Sequence, residues 1–378
     1  MISISRNRSG GPELRILIVA AFCIVVFLPH TASADTTTAQ LQAAAEKGYI
    51  SRQIDLAAAY FTGKGVPQNP KLAAYWYEKA AENGDADAQN EIGFLYQTGT
   101  GVPADAARAL HWYQLASAGG CVAAKVNLGV MYYWGTGVRK DPALAAQQFR
   151  EAAKQGSGTA AAYLGVMQYF GSGVAQDRAA AQEWFAVGAK LHDPMAAFNL
   201  ASLFTGRDGH PLNLLKAAEL LRASSGRGYV PAMHTLGRLL ASHPELAESS
   251  HEAEAMIARA SNAGYWKSSV LLAIFERDGK NAAADPAAAF YHFQLAVLQG
   301  GEPVKKLVGN DLTALSAQLK PDQAAELTNK AAAWHGAHPF ELQVVYADSE
   351  RAKRFPASAR IAALDDSHAG QLVLPPPA

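Results

Sequence analysis

Cysteine is nearly missing from this chain, with two residues in 378, Cys23 and Cys121. No disulfide framework of the kind that staples small secreted domains can be built from them. An excess charge of either sign is also lacking, since 33 Lys and Arg face 33 Asp and Glu. That balance leaves no field to recruit nucleic acid or an anionic membrane. Catalytic signatures are absent too. Neither Ser-x-x-Lys nor Gly-x-Ser-x-Gly occurs, which removes the sequence support for a β-lactamase or esterase nucleophile. His251 and Glu252 begin like a zinc-protease helix, but Ala255 stands where the second ligand belongs. Glycine pairs in the turns lack the third glycine, or the Gly-Lys-Ser/Thr ending, of a nucleotide loop.

What is present is globular in composition, with 49% hydrophobic and 17% charged residues. The first 34 residues read as an address. Arg6, Arg8 and Arg15 precede an apolar run from Ile16 to Leu28, and Ala32-Ser33-Ala34 forms a small-residue cleavage site. A secretory signal peptide cut before Asp35 is expected, the apolar run being short for a membrane span. The mature chain is then expected in the periplasm or outside the cell, with no membrane span and with Cys121 as its one cysteine.

The rest of the chain repeats itself every 36 residues, most plainly in the column Ala73, Ala109, Ala145, Ala181, Ala217, Ala253, Ala289 and Ala325. A fixed period of this size means stacked supersecondary units. Each copy reads as two helices. The second is announced by Asn69, Asp105, Asp141, Asp177, Asn213, Ser249 and Asp285, side chains that cap an orphan N–H of the first turn. Asp85, Ser157 and Asp193 do the same for the first helix, where Cys121 is a weak cap. Gly48, Gly84, Gly120, Gly156, Gly228, Gly264, Gly300 and Gly336 end the second helix in a left-handed turn, with His192 the exception. Small residues (Ala57, Gly93, Gly129, Gly165, Ala201, Gly237, Ala273, Gly309) let the helices approach. Tyr77, Tyr113, Phe149, Phe185, Leu221, Ile257 and Phe293 are the bulky knobs. One repeat cannot bury such a face, so neighbours must stack.

The expected organisation is residues 1–34 as signal peptide and 35–50 as an N-terminal capping helix. Seven helix-pair repeats follow over 51–301, then a degenerate capping repeat over 302–338 and a tail over 339–378. Ala325 and Ala332 are expected to keep the repeat's register in that last unit, while Asn329 replaces the knob.

Small-Gly in the first helix, Gly-x-Gly-Val in the turn, Asp before the second helix and then A-x-x-W-[YF]-x-x-A-[AS]-x-x-G together resemble the Sel-one-like repeat family, relatives of the tetratricopeptide repeats. The resemblance runs from about Thr38 to Gly336. It implies an all-α fold, a right-handed α-solenoid with first helices along its concave side. It also implies a non-enzymatic scaffold that holds another protein, as an adaptor or regulator of envelope machinery. A cell-wall or β-lactam hydrolase and a secreted host-interaction protein are the alternative readings. The family's Trp stands at Trp76, Trp112 and Trp184, and later turns lose the Gly-x-Gly-Val pattern.

Two first-helix columns are polar or amphipathic and free to vary: Asp55, Glu91, Asn127, Tyr163, Asn199, Thr235, and Phe61, Gln97, Tyr133, Tyr169, Thr205, Arg277. A peptide groove is therefore expected around Asn127, Tyr133, Tyr163, Tyr169 and Asn199, whose amides and rings suit an extended peptide. No cofactor is implied. His210, His243 and His251, with Asp208 and Glu245, read either as a metal group or as solvated turn residues, and their spacing fits no zinc motif.

Overall fold

The computed structural model describes residues 38–206, 211–249, 251–280 and 283–338. The leader with its cleavage site, Asp208, His210 and the tail after His338 lie outside the described residues.

Among the described residues there are helices and turns and no strand. After α1 (Thr38–Glu46) come the first helices of successive pairs: α2 (Ile50–Thr62), α4 (Ala86–Thr98), α6 (Val122–Trp134), α8 (Gly158–Phe170), α10 (Pro194–Leu203), α12 (Val230–Ser242) and α14 (Trp266–Asp278). Their partners are α3 (Pro70–Glu82), α5 (Ala106–Ala118), α7 (Pro142–Lys154), α9 (Arg178–Lys190), α11 (Leu214–Gly226), α13 (Glu252–Asn262) and the first half of α15 (Pro286–Ser316). The second half of α15 and α16 (Pro321–Ala337) end the series. Each helix packs on the one before it and the one after it, which makes an all-α repeat solenoid.

Local chemistry sets the helix ends. Asn69, Asp105, Asp141, Asp177, Asn213 and Asp285 each accept from a first-turn N–H of the second helix, and Asp85, Ser157 and Asp193 do so for first helices. Ser249 does not, because α13 starts late at Glu252. A short 3-10 turn over Pro244–Leu246 replaces the glycine turn there. The Arg222 guanidinium holds it, donating to the Leu246 carbonyl at 2.6 Å and to both Glu252 oxygens at 2.7 and 2.9 Å. Cys121 is no weak cap either: its thiol donates to Asp87 Oδ1 at 3.3 Å.

The small column is a contact, not a gap. A Cβ built on Gly129 would meet the Phe149 ring at 2.6 Å, and one on Gly165 the Phe185 ring at 2.5 Å. Each of these rings thus rests directly against its partner helix's glycine. The pattern fails at the C-terminal end. Gly301, not Gly300, takes a positive φ (68°), with an extended ψ of −156°, and kinks α15, while Gly336 stays within α16. There α16 begins at Pro321, one residue ahead of the repeat's phase, and its inward face moves with it. Ala324, Leu327 and Ala331 face inward, while Ala325 and Ala332, expected in register, are exposed.

Candidate partner-binding surface

In the middle of the stack the first helices are the more enclosed ones. Every residue of α10 is buried, whereas neighbouring α9 buries only Ala181, Phe185 and Gly188. A first helix enclosed on all sides needs apolar or internally paired residues all round.

That enclosure corrects the expected groove. Asn127, Tyr133, Tyr163, Tyr169 and Asn199 are all buried, with Tyr163 and Asn199 at 0% exposure. Asn127 Nδ2 donates to Asn90 Oδ1 on the preceding first helix at 2.9 Å. The Tyr163 ring stacks on Phe149, centroids 4.6 Å apart and planes 5° apart. Burial raises the pKa of its hydroxyl. These columns lie between successive repeats and bind them together. A residue that varies from repeat to repeat is as free to vary inside a seam as on a surface.

The seams bury two acids, Glu91 and Asp193. Asp193 Oδ1 accepts the Ala196 N–H at 2.8 Å and Oδ2 accepts the Thr159 hydroxyl at 2.7 Å. Burial nonetheless raises its pKa, the hydrogen bonds pulling the other way. Thr159 and Asp193 stand in the columns of Asp87 and Cys121, so one polar clip recurs in two layers.

What faces outward sits one residue later than expected. Trp134 and Phe170, the last residues of α6 and α8, are half-buried. Each stands edge-on to its buried predecessor, Tyr133 or Tyr169, at 5.0 Å between centroids. Tyr60, Tyr132 and Phe204 are half-buried near the same helix ends. Nearby, Arg108 lies 4.0 Å over the Tyr96 ring and pairs with Glu78 at 2.6 Å. Sequence reasoning missed Trp134 and Phe170 because both read as the tail of an apolar helix. The signal was the Gly135 and Gly171 that follow, whose left-handed turns end each helix and leave its last side chain at an edge.

The metal reading gains nothing here. Among the described residues no three His, Cys, Asp or Glu side chains gather, and His243 pairs with Glu245 of its own turn at 3.2 Å. No helix among the described residues is long and apolar enough to cross a membrane.

Comparison with known proteins follows the same outline. The Sel1 repeat family matches residues 53–85, 86–121, 122–157, 158–193, 194–229 and 268–301, more than half of the chain. The crystal structure of a Sel1 repeat protein from Oxalobacter formigenes is 29% identical. It covers 57% of this chain and 89% of its own, with a TM-score of 0.54. A protective antigen with an SLR fold, c5321, present in uropathogenic Escherichia coli strains, is 22% identical over 82% of this chain and 84% of its own, at a TM-score of 0.38. No curated protein matches.

Proposed function

We propose that this chain, which belongs to the Sel1 repeat family, is an exported scaffold that holds a protein or peptide partner of the cell envelope. Sel1 repeats are generally protein-interaction scaffolds. The leader-like first 34 residues support the export half of the reading.

The observation that carries the binding half is the pair of half-buried rings, Trp134 and Phe170, one repeat apart and each braced by a buried tyrosine. An aromatic side chain already ordered loses little entropy when a partner covers it. A peptide crossing the ends of α6 and α8 would place apolar side chains against both rings.

The test is capture of envelope proteins by the mature chain carrying Trp134→Ala and Phe170→Ala. At least a tenfold loss of the captured partner is expected, with the helical circular dichroism unchanged. Equal capture by the variant removes these residues from the reading. N-terminal sequencing of the exported protein should begin at Asp35, and a full-length chain retained in the cytoplasm would overturn export.

A further inference from the structure

The earlier seams carry an alanine column and a few polar contacts, Asn90–Asn127 and Thr159–Asp193 among them. Ala88, Ala124, Ala160, Ala196 and Ala232 occupy one first-helix column, all fully buried; the next member is Ser268. The column of Asn90, Val126, Ala162 and Phe198 continues with His234. Both newcomers are buried, and His234 Nδ1 lies 2.9 Å from Ser268 Oγ. A second polar chain runs beside them. Ser261 Oγ donates to Ser269 Oγ at 2.8 Å, Ser269 Oγ to Gln299 Oε1 at 2.7 Å, and Gln299 Nε2 to the Ser261 carbonyl at 3.2 Å.

The apolar core is interrupted at the same step. One continuous cluster runs from Ala45 to Leu240 and another from Ala273 to Leu315. Between them lie two smaller buried groups, one joining Val230 and Met233 to Tyr265, the other joining Ile257 to Leu272 and Phe275, with half-buried Ile274 touching both this group and the C-terminal cluster. Shared apolar contact is what makes adjacent repeats unfold together, so a polar seam is where a stack parts first. The family's matches also pass over residues 230–267.

We propose that the seam between the α12–α13 pair and α14 is an acid-operated hinge, in which protonation of His234 parts the two apolar bodies of the solenoid. Among the described residues the charges that act on the ring are Arg238 on α12 and Lys267 on α14, both cations. Tyr265, at the head of α14, faces the ring at 5.1 Å. An imidazolium in the closed seam is therefore a buried charge among like charges. Burial first, and the two cations after it, hold the ring's pKa down from 6.5 to about 3. In the opened seam the hydrated ring returns to its ordinary value. Each pH unit below 6.5 then raises the open-to-closed ratio about tenfold, until pH falls to about 3. This device does not depend on which partner the scaffold holds.

Hydrogen exchange on the full chain at pH 7.5 and 5.0, corrected for chemical exchange rate, tests it. Amides of residues 230–240 and 261–272 should exchange roughly thirtyfold faster at pH 5.0, while those of α4 to α9 keep their protection. His234→Phe, which copies Phe198 of the same column, should abolish the acceleration. His234→Val, copying Val126, serves if the phenylalanine lowers helicity at pH 7.5. Undiminished acceleration in the folded variant overturns the proposal. So does protection lost evenly along the wild-type chain.

Discussion

The pairs from α2 to α11 and the pairs from α12 onward follow one 36-residue grammar, yet the continuous buried core of the first group reaches no farther than α12. In the first group the contact columns hold mostly Ala, Gly and large rings, with the polar pairs Asn90–Asn127 and Thr159–Asp193 set among them. In the second, Ser and His enter the seam and α16 slips by one residue. Period alone therefore does not guarantee packing; the residue at the contact decides whether a repeat inherits its neighbour's environment. Position 163 and position 307 make the contrast sharpest, since they occupy the same column. Tyr163 is fully enclosed and Leu307 is 63% exposed. Tyr163→Ala should cost roughly 3–5 kcal/mol, as loss of a buried ring does. Leu307→Ala should stay within about 0.5 kcal/mol. Equal midpoint shifts in urea denaturation would erase the distinction between the two regions.

A smaller effect of the same kind belongs to the glycine column. Gly129→Leu drives a side chain into the Phe149 ring and should cost about 1–3 kcal/mol. A Cβ on Gly309, five repeats along, meets nothing within 4 Å, so Gly309→Leu should be close to neutral. Denaturation of both variants gives the answer, and a penalty at Gly309 matching that at Gly129 would mean the last pair packs as the others do.

The diverged turn after α12 brings a pH dependence with it. Arg222 holds Glu252 below its ordinary carboxylate pKa of 4.5, mainly through their hydrogen bonds. The pair's contribution is therefore complete above pH 4.5 and is lost as pH falls through the lower folded value. The residues are partly exposed, so about 1 kcal/mol is at stake. Glu252→Gln should lower stability by that amount at pH 7 and by almost nothing at the acid end, read from denaturation midpoints across pH. A constant difference between the two proteins would deny the ion pair its role.

The residues that could be read in sequence are those whose partner is local. Asp105 caps its own helix three residues on, so its column announces a helix start without any tertiary knowledge. Ser249 carries the same signal and fails, because Arg222, 30 residues before Glu252, fixes the turn instead. The solenoid was legible for the first reason, and the groove was misread for the second. Asn127 on α6 and Asn199 on α10 belong to a column that varies between otherwise strict helices, and variation in sequence does not imply exposure. Asn127 in fact meets an amide one repeat away, a pairing that spacing within the helix cannot reveal. The His234–Ser268 contact was present in the columns as two departures 34 residues apart, and only their meeting in space gives them meaning.

The smallest expected effect tests whether the repeat's own turn geometry outranks the residue placed in it. His192 replaces glycine in the terminating column, yet it adopts φ 63°, beside 88° for Gly156 and 85° for Gly228. The stack imposes the left-handed turn, and an L side chain there bears a penalty of roughly 1–2 kcal/mol. His192→Gly should therefore stabilise by about 1 kcal/mol, the difference reduced by glycine's greater freedom when unfolded. Gly156→Ala is the mirror experiment. No atom lies within 4 Å of its would-be Cβ, so any loss is backbone strain rather than a clash. The two variants should shift the denaturation midpoint by similar amounts in opposite directions. If His192→Gly destabilises instead, the histidine side chain supports the turn through its own contacts, and the column is set by residue identity as well as by position.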